Sequence, residues 1–462
     1  MSVKLPFYLR DNYAPVTEEI DAVDLPVIGA LPPQLSGRFF RIGANPIDRV
    51  PMHWFDGDGM IHGIRLRDGK AEWYRNRMVQ TKLLAGHPRM DPDTFEFDLS
   101  AGRANTHIVR HAGTIMALEE GSFPVAMDPD LGTIGPYDFS GAVTTPVTAH
   151  PHVCAETGEM HFFGYDVLAP PYVTYYVADA SGQVIHSQAI DVPGPTMVHD
   201  FAISRHHAIF LDLPVVFDLD KALRGGMPFG WDESYGARIG LLDRTAAHGA
   251  AGGGGGGGGG AQPRWFDVDP CYVFHIMNAW EEDVDESGRG RVVVLDAGRH
   301  PSMWSGDANA FEPCYLWRWR FDLETGVVTE EQLDDREHGF PRIDDRRTGL
   351  TNRFGWTVSG RSDEAPTNTQ GNGVLKYDLE AGSTTFHDFG EGVSTSEPVF
   401  VPRSDGAGED DGWIMSYVWD RATERSSFVV LDAADMSAGP VAQVPLPQRV
   451  PNGFHGSWFA DE

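Results

Sequence analysis

Short β-rich runs, joined in pairs by glycine-bearing turns, recur along this chain and point to an all-β class. The run Met60-Ile61-His62-Gly63-Ile64-Arg65-Leu66 turns at Asp68-Gly69 and returns as Ala71-Glu72-Trp73-Tyr74. An Asp-Gly pair between two such runs signals a two-residue hairpin turn. The pattern returns between 172–177 and 183–185, 316–321 and 327–328, 374–377 and 383–386, and 428–431 and 441–444, with a glycine in every connection. Repeated hairpins with few long helical periods argue for an all-β repeat fold. The repeat length is irregular, so the number of units does not follow from it. Two stacked sandwich domains would give much the same strand signals.

Four histidines stand at the edges of apolar or aromatic runs, far apart in the chain. They are His150 in Ala149-His150-Pro151-His152, His199 in Val198-His199-Asp200-Phe201, His275 in Val273-Phe274-His275, and His455 in Gly453-Phe454-His455-Gly456. Neutral imidazole is the commonest protein ligand for a first-row metal. Four ligands from four segments require a fold that brings distant strand ends to one point. The chain holds 18 histidines, and a histidine beside apolar residues is more often a packed, hydrogen-bonded core residue.

These segments and others resemble the carotenoid cleavage oxygenase family, which includes the bacterial lignostilbene dioxygenases. The resemblance runs through Phe55-Asp56-Gly57-Asp58-Gly59-Met60-Ile61-His62, Asn105-Thr106-His107, Leu118-Glu119-Glu120-Gly121 and Gly158-Glu159-Met160-His161-Phe162-Phe163-Gly164-Tyr165. It continues through the four histidine segments, Phe340-Pro341-Arg342-Ile343-Asp344 and Glu397-Pro398-Val399-Phe400-Val401-Pro402-Arg403. It implies one domain over 1–462, a seven-bladed β-propeller with the metal site on its axis, capped by loops and short helices. It also implies iron(II), Fe2+, held by His150, His199, His275 and His455.

By the same resemblance Glu120 and Glu397 orient ligand imidazoles by accepting their second N–H, as carboxylates beside metal-bound histidines do. On sequence alone both could be solvated turn residues. The family's third such glutamate directly precedes Phe-Pro-Arg, where this chain has Gly339 after Glu337 and His338. Either Glu337 reaches in, or one histidine is held by water or backbone. Thr106 matches a position whose methyl group crowds one coordination site; β-propensity alone would also place a threonine there. Phe55, Trp280, Phe454 and Trp458 flank the motif segments and are expected to line an apolar substrate tunnel.

The implied activity is that of a dioxygenase that splits a carbon–carbon double bond of an apolar conjugated alkene, with O2, into two carbonyl products. Carotenoids, apocarotenoids, stilbenoids and phenylpropenes are the candidate substrates, and no organic cofactor or external reductant is expected. The lignostilbene branch typically carries a lysine directly before the glutamate matched by Glu120, where it meets the substrate phenol. Here that residue is Glu119, which would repel a phenolate and favours carotenoid-derived substrates unless another cation replaces the lysine. An iron-bound isomerase or hydrolase of the same fold is the alternative. Asp200, Glu281 and Glu282 could then activate a metal-bound water, although no Gly-x-Ser-x-Gly or His-Glu-x-x-His segment supports it. A non-catalytic binding propeller is the reading from another class.

Net charge is -31, from 67 acidic and 36 basic residues. That argues against a nucleic-acid partner and against electrostatic attachment to anionic lipid. Transient membrane contact to collect an apolar substrate remains an expectation of the family reading. Three cysteines, Cys154, Cys271 and Cys314, form no CxxC pair, so neither a zinc knuckle nor a disulfide framework is suggested. No signal peptide or membrane span is read, and a cytoplasmic setting is expected. Residues 1–37 read as an N-terminal arm laid over the domain. Nine consecutive glycines at 252–260, within a glycine-rich stretch 250–261, read as a flexible surface loop.

Overall fold

The computed structural model describes residues 5–47, 50–91, 93–94, 96–224, 227–244, 261–286, 288–306, 311–360 and 370–461. The glycine run at 252–260 lies outside them. Seven antiparallel sheets of four to six strands follow one another along the chain as the blades of a seven-bladed β-propeller. The hairpins read from sequence form these sheets. Gly59–Arg67 pairs with Lys70–Met78 across Asp68 and Gly69, whose φ angles are +50° and +71°. Both central residues are thus left-handed, and the local twist matches that of the strands it joins.

Blade 1 is built on Gly37–Ala44, Gly59–Arg67 and Lys70–Met78. Blades 2, 3 and 4 begin with His107–His111, His152–Val153 and Ala202–Ile203. Blades 5 and 6 begin with Tyr272–Val284 and His338–Arg342. Blade 7 runs from Val393–Thr395 to Pro440–Pro445. The ring is closed by the last strand, Gly456–Ala460, which pairs with Gly37–Ala44 and becomes the inner strand of blade 1. The arm ties the same seam from outside. Asp21–Leu25 extends blade 1 beside Lys70–Met78, and Ile28–Gly29 extends blade 7 beside Pro440–Pro445.

The apolar core is divided among the blade interfaces. One cluster joins blades 4 and 5 through Leu241, Phe266, Leu295 and Trp319. Another joins blades 1 and 7 through Phe39, Tyr74, Trp413 and Phe428, with Leu31 and Leu35 of the arm. Strands inside a blade are covered on both faces, as in Phe354–Ser359, which is buried throughout. The outer strand Ser383–Asp388 is largely exposed and polar. Because burial is satisfied between blades, the axis need not be filled with apolar side chains, and polar groups can converge there. Of the aromatic tunnel candidates, Phe55 and Phe454 pack together near that axis, and Trp280 does not join them. It lies five residues past His275 on one strand, about 16 Å away at strand rise, with the Arg318 guanidinium 5.0 Å over its ring.

Candidate metal centre

Each of the four histidines sits on or just before an inner strand, so the ring of blades aims all four at the axis. His150 precedes His152–Val153, His199 precedes Ala202–Ile203 and His455 precedes Gly456–Ala460. His275 lies within Tyr272–Val284, where pairing with Gly290–His300 slips between Val273 and Ile276. Such a bulge re-aims a side chain that regular alternation would place on a sheet face. One ligand atom from each histidine lies within 4.8 Å of the others. The Nε2 atoms of His150 and His199 are 3.1 Å apart, and those of His199 and His275 are 3.4 Å apart. Metal–nitrogen bonds of about 2.1 Å meeting at right angles would place neighbouring nitrogens about 3 Å apart. The geometry fits a divalent first-row ion.

Burial holds the His150 and His275 imidazoles well below the usual histidine range, reinforced by the neighbouring histidines. They are therefore neutral, the form that ligates. Glu120 Oε1 meets His199 Nδ1, and Tyr165 donates its hydroxyl to the other Glu120 oxygen at 2.9 Å. His455 Nδ1 donates to Glu397 Oε1 at 2.9 Å, and the Gly456 amide donates to Oε2 at 2.8 Å. Burial alone would raise Glu397, but Arg342, 3.2 Å from Oε2, and His455 hold it down to about 2. His455 Nδ1–H is thus committed to a carboxylate and Glu120 faces His199 Nδ1, which leaves Nε2 of each ring to face the centre.

His275 is held differently. Glu337 is exposed and contributes only its carbonyl, to Ser359, so it does not replace the missing third glutamate. Phe340 instead packs its ring 5.1 Å from His275 and 4.8 Å from His455. The Asp200 carboxylate fixes the backbone beside His275, accepting from the Ile276 amide at 2.8 Å. Its other oxygen accepts from the Phe201 amide and from His152 Nε2. This role of Asp200 went unread in the sequence because its partner lies 76 residues away. Glu281 is bound by Ser204, His206 and His207, and Glu282 pairs with Arg320. All three carboxylates are thus engaged in hydrogen bonds or ion pairs that hold neighbouring segments together.

The Thr106 backbone spans two strands near the site, donating to the Leu118 carbonyl and accepting from the His455 amide at 3.1 Å. Its hydroxyl donates to Asn105, whose amide group in turn holds the carbonyls of Phe55 and Gly57. Phe55 and Phe454 pack 5.7 Å apart, and the cluster extends to Trp54, Phe274, Trp304 and Phe311. Phe274 also packs 5.0 Å from His199, so this apolar wall adjoins the centre. Trp54 stands beside Phe55 of a motif and Phe274 lies within the His275 motif; Trp304 and Phe311 carried no sequence signal. Trp458 lies away from the cluster, along the axis. Glu119 is 7% exposed and lies 3.7 Å from Arg89, whose guanidinium also meets the Gly121 carbonyl. The guanidinium is thus shared between this carboxylate and a backbone carbonyl, and does not stand as a free substitute for the missing lysine.

The family described as retinal pigment epithelial membrane protein matches residues 13–460. A carotenoid cleavage oxygenase of Mycobacterium tuberculosis is 35% identical over 98% of this chain and 97% of its own length. The chain belongs to the carotenoid cleavage oxygenase family. It is an oxidoreductase of the carbon–carbon double-bond-cleaving dioxygenase type. A carotenoid 9,10(9',10')-cleavage dioxygenase of Arabidopsis thaliana is 36% identical to this oxygenase over 98% of the chain and 90% of the relative. Among solved structures, the lignostilbene dioxygenase of Pseudomonas brassicacearum superposes on it with a TM-score of 0.86 at 28% identity, covering 100% of both chains. Cobalt-substituted Synechocystis ACO gives 0.83 at 27% identity over 98% of each. Among the described residues, no helix of this oxygenase is long and apolar enough to cross a membrane.

Proposed function

We propose that this oxygenase binds iron(II) through His150, His199, His275 and His455 and cleaves an alkene of an apolar, carotenoid-derived chain. The observation that carries the reading is the convergence of four imidazoles beside an aromatic wall. The overall change is balanced: the double bond breaks, and each alkene carbon takes one oxygen atom of O2 to become a carbonyl. Iron(II), when bound, supplies the one-electron chemistry by which dioxygen reacts with a closed-shell alkene. The chain's own residues do the rest. Glu120 and Glu397 keep His199 and His455 in the orientation that presents Nε2. Phe55, Phe274 and Phe454 hold the polyene against the centre and exclude water, which needs an apolar concave wall. Thr106 limits the open coordination positions through its methyl group.

The substrate end group is read by Glu119 and Arg89. Glu119 Oε1 has no hydrogen-bond donor within reach, and its contact with Arg89 is long at 3.7 Å. A neutral hydroxyl can donate to the carboxylate and accept from the guanidinium at once. A phenolate would meet a carboxylate already in place. Hydroxylated apocarotenoids therefore fit better than ionised 4-hydroxystilbenes. The curated relatives named above, which carry carotenoid names, support this direction. Three buried free cysteines accord with a reducing, cytoplasmic setting. The test is aerobic turnover of the iron-loaded enzyme with an apocarotenal and a 4-hydroxystilbene of similar length, reading O2 uptake and product masses. A higher kcat/KM for the apocarotenal is expected. Preference for the hydroxystilbene, retained in Glu119→Gln, would overturn the assignment of Glu119. Metal binding without O2 uptake on any alkene would favour a binding propeller instead.

A further inference from the structure

A cavity of about 590 Å³ runs beside the axis from exposed Arg110, Val153 and Asp345 to His150, His275 and His455. Its wall is made by residues that follow the ligands along the inner strands, such as Ile276 to Ala279 after His275 and Ser457 to Phe459 after His455. The aromatic cluster is built from residues on the other side of the ligands in chain order, Phe274 before His275 and Phe454 before His455. Along these two segments the chain thus passes from an apolar side, through a ligand, to a channel side. The channel wall is mixed, with His107, His152, Asn278, Arg342, Glu397 and Ser457 among its polar members. Of the arginines that line it, Arg342 faces Glu397 and Asp345 and Arg346 pairs with Asp344, while Arg110 at the mouth donates to the Ala460 carbonyl and lies over the Phe459 ring.

We propose that this axial channel is the route by which the hydrated divalent metal ion reaches the four histidines. The inference rests on the metal-site reading above and assigns a role to the face opposite the aromatic wall. A dication can shed its water only where oxygen and nitrogen donors replace it. The channel offers such donors along its length, whereas rings such as Phe55 and Phe454 offer none. The strongly acidic chain also favours cation entry from solvent. Apolar substrate and metal then approach the centre from opposite sides.

The experiment is metal loading of the chelator-stripped protein with Co2+, followed by stopped-flow absorbance of the cobalt d–d bands. Val153, 38% exposed at the mouth, tolerates substitution without disturbing the core. Val153→Trp is expected to slow loading several-fold while leaving the final cobalt content unchanged. Val153→Glu should speed loading and Val153→Lys slow it, each by roughly threefold at low ionic strength, with the difference fading in high salt. Opposite signs from one position would not arise from a merely structural effect. Phe55→Ala, which opens the aromatic side, should leave the rate at the parental value. Equal rates in all three Val153 variants, or faster loading in Phe55→Ala, would overturn the proposal. A parent protein that takes up no cobalt at all would instead reject the metal-site reading beneath it.

Discussion

Glu397 is only 2% exposed, yet Arg342 and His455 keep it ionised with a pKa near 2. A carboxylate so buried is stable as an anion only because its partners are fixed around it. Replacing it with glutamine keeps the shape but can turn an N–H toward His455 Nδ1, which releases the ring from its tautomer. Glu397→Gln and Glu120→Gln should each weaken metal affinity by about 10- to 100-fold, read by competition with a chromophoric chelator, with the fold intact by circular dichroism. His199→Ala removes a ligand outright and should retain far less iron. The four ligands and both carboxylates were legible as motif residues. The special treatment of His275 was not, because it depends on Phe340 and Asp200, which sequence separates from it by 65 and 75 positions.

At the scale of strands and turns, neighbouring blades are latched by polar contacts as well as by apolar packing. Glu281, on the inner strand of blade 5, accepts from Ser204 Oγ, His206 Nδ1 and His207 Nδ1 in the first turn of blade 4, and from the Gly290 amide. Burial pushes this carboxyl up, but the hydrogen bonds from His207, His206 and Ser204 outweigh it and leave it below the ordinary value of 4.5. A carboxylate depressed in the folded state stabilises it above that ordinary value and loses the contribution as pH falls through the folded pKa. Glu281→Ala should therefore cost about 3 kcal/mol near neutral pH, as when one partner of a buried ionic contact is removed. The gap between parent and variant in urea unfolding should narrow below pH 4.5. A gap that stays constant through acid would reject the ionic role. The hairpins were readable because turn chemistry is local: Gly182, Gly326, Gly382 and Gly439 all take positive φ in the connections named from sequence. The bulge at His275 was not, since it is a property of the pairing between two strands rather than of either one.

For the whole molecule, the weak point of a ring is its seam, and this ring is closed at both termini. The last strand completes blade 1 from inside, and the arm overlaps blades 1 and 7 from outside. Leu31 of the arm is 4% exposed within the cluster shared by those blades. Leu31→Ala should cost about 2–5 kcal/mol by denaturant unfolding. The exposed arm residue Val23, changed to alanine, should cost well under 1 kcal/mol by comparison. Equal effects would mean that the arm does not seal the seam through burial. Sequence by itself determined the all-β class, the hairpin turns, the four histidines and, through resemblance, the family, because each rests on local chemistry or on motif order. Strand spacing left one ring open against two sandwiches; the resemblance implied a seven-bladed ring, and the packing of each sheet's apolar face on the next bears it out. Tertiary structure alone decided that Trp280 lies away from the aromatic wall and that Arg89 stands beside Glu119. It set a polar channel on one side of the ligands and aromatic rings on the other. Those are facts of distance between segments, and no spacing along the chain encodes them.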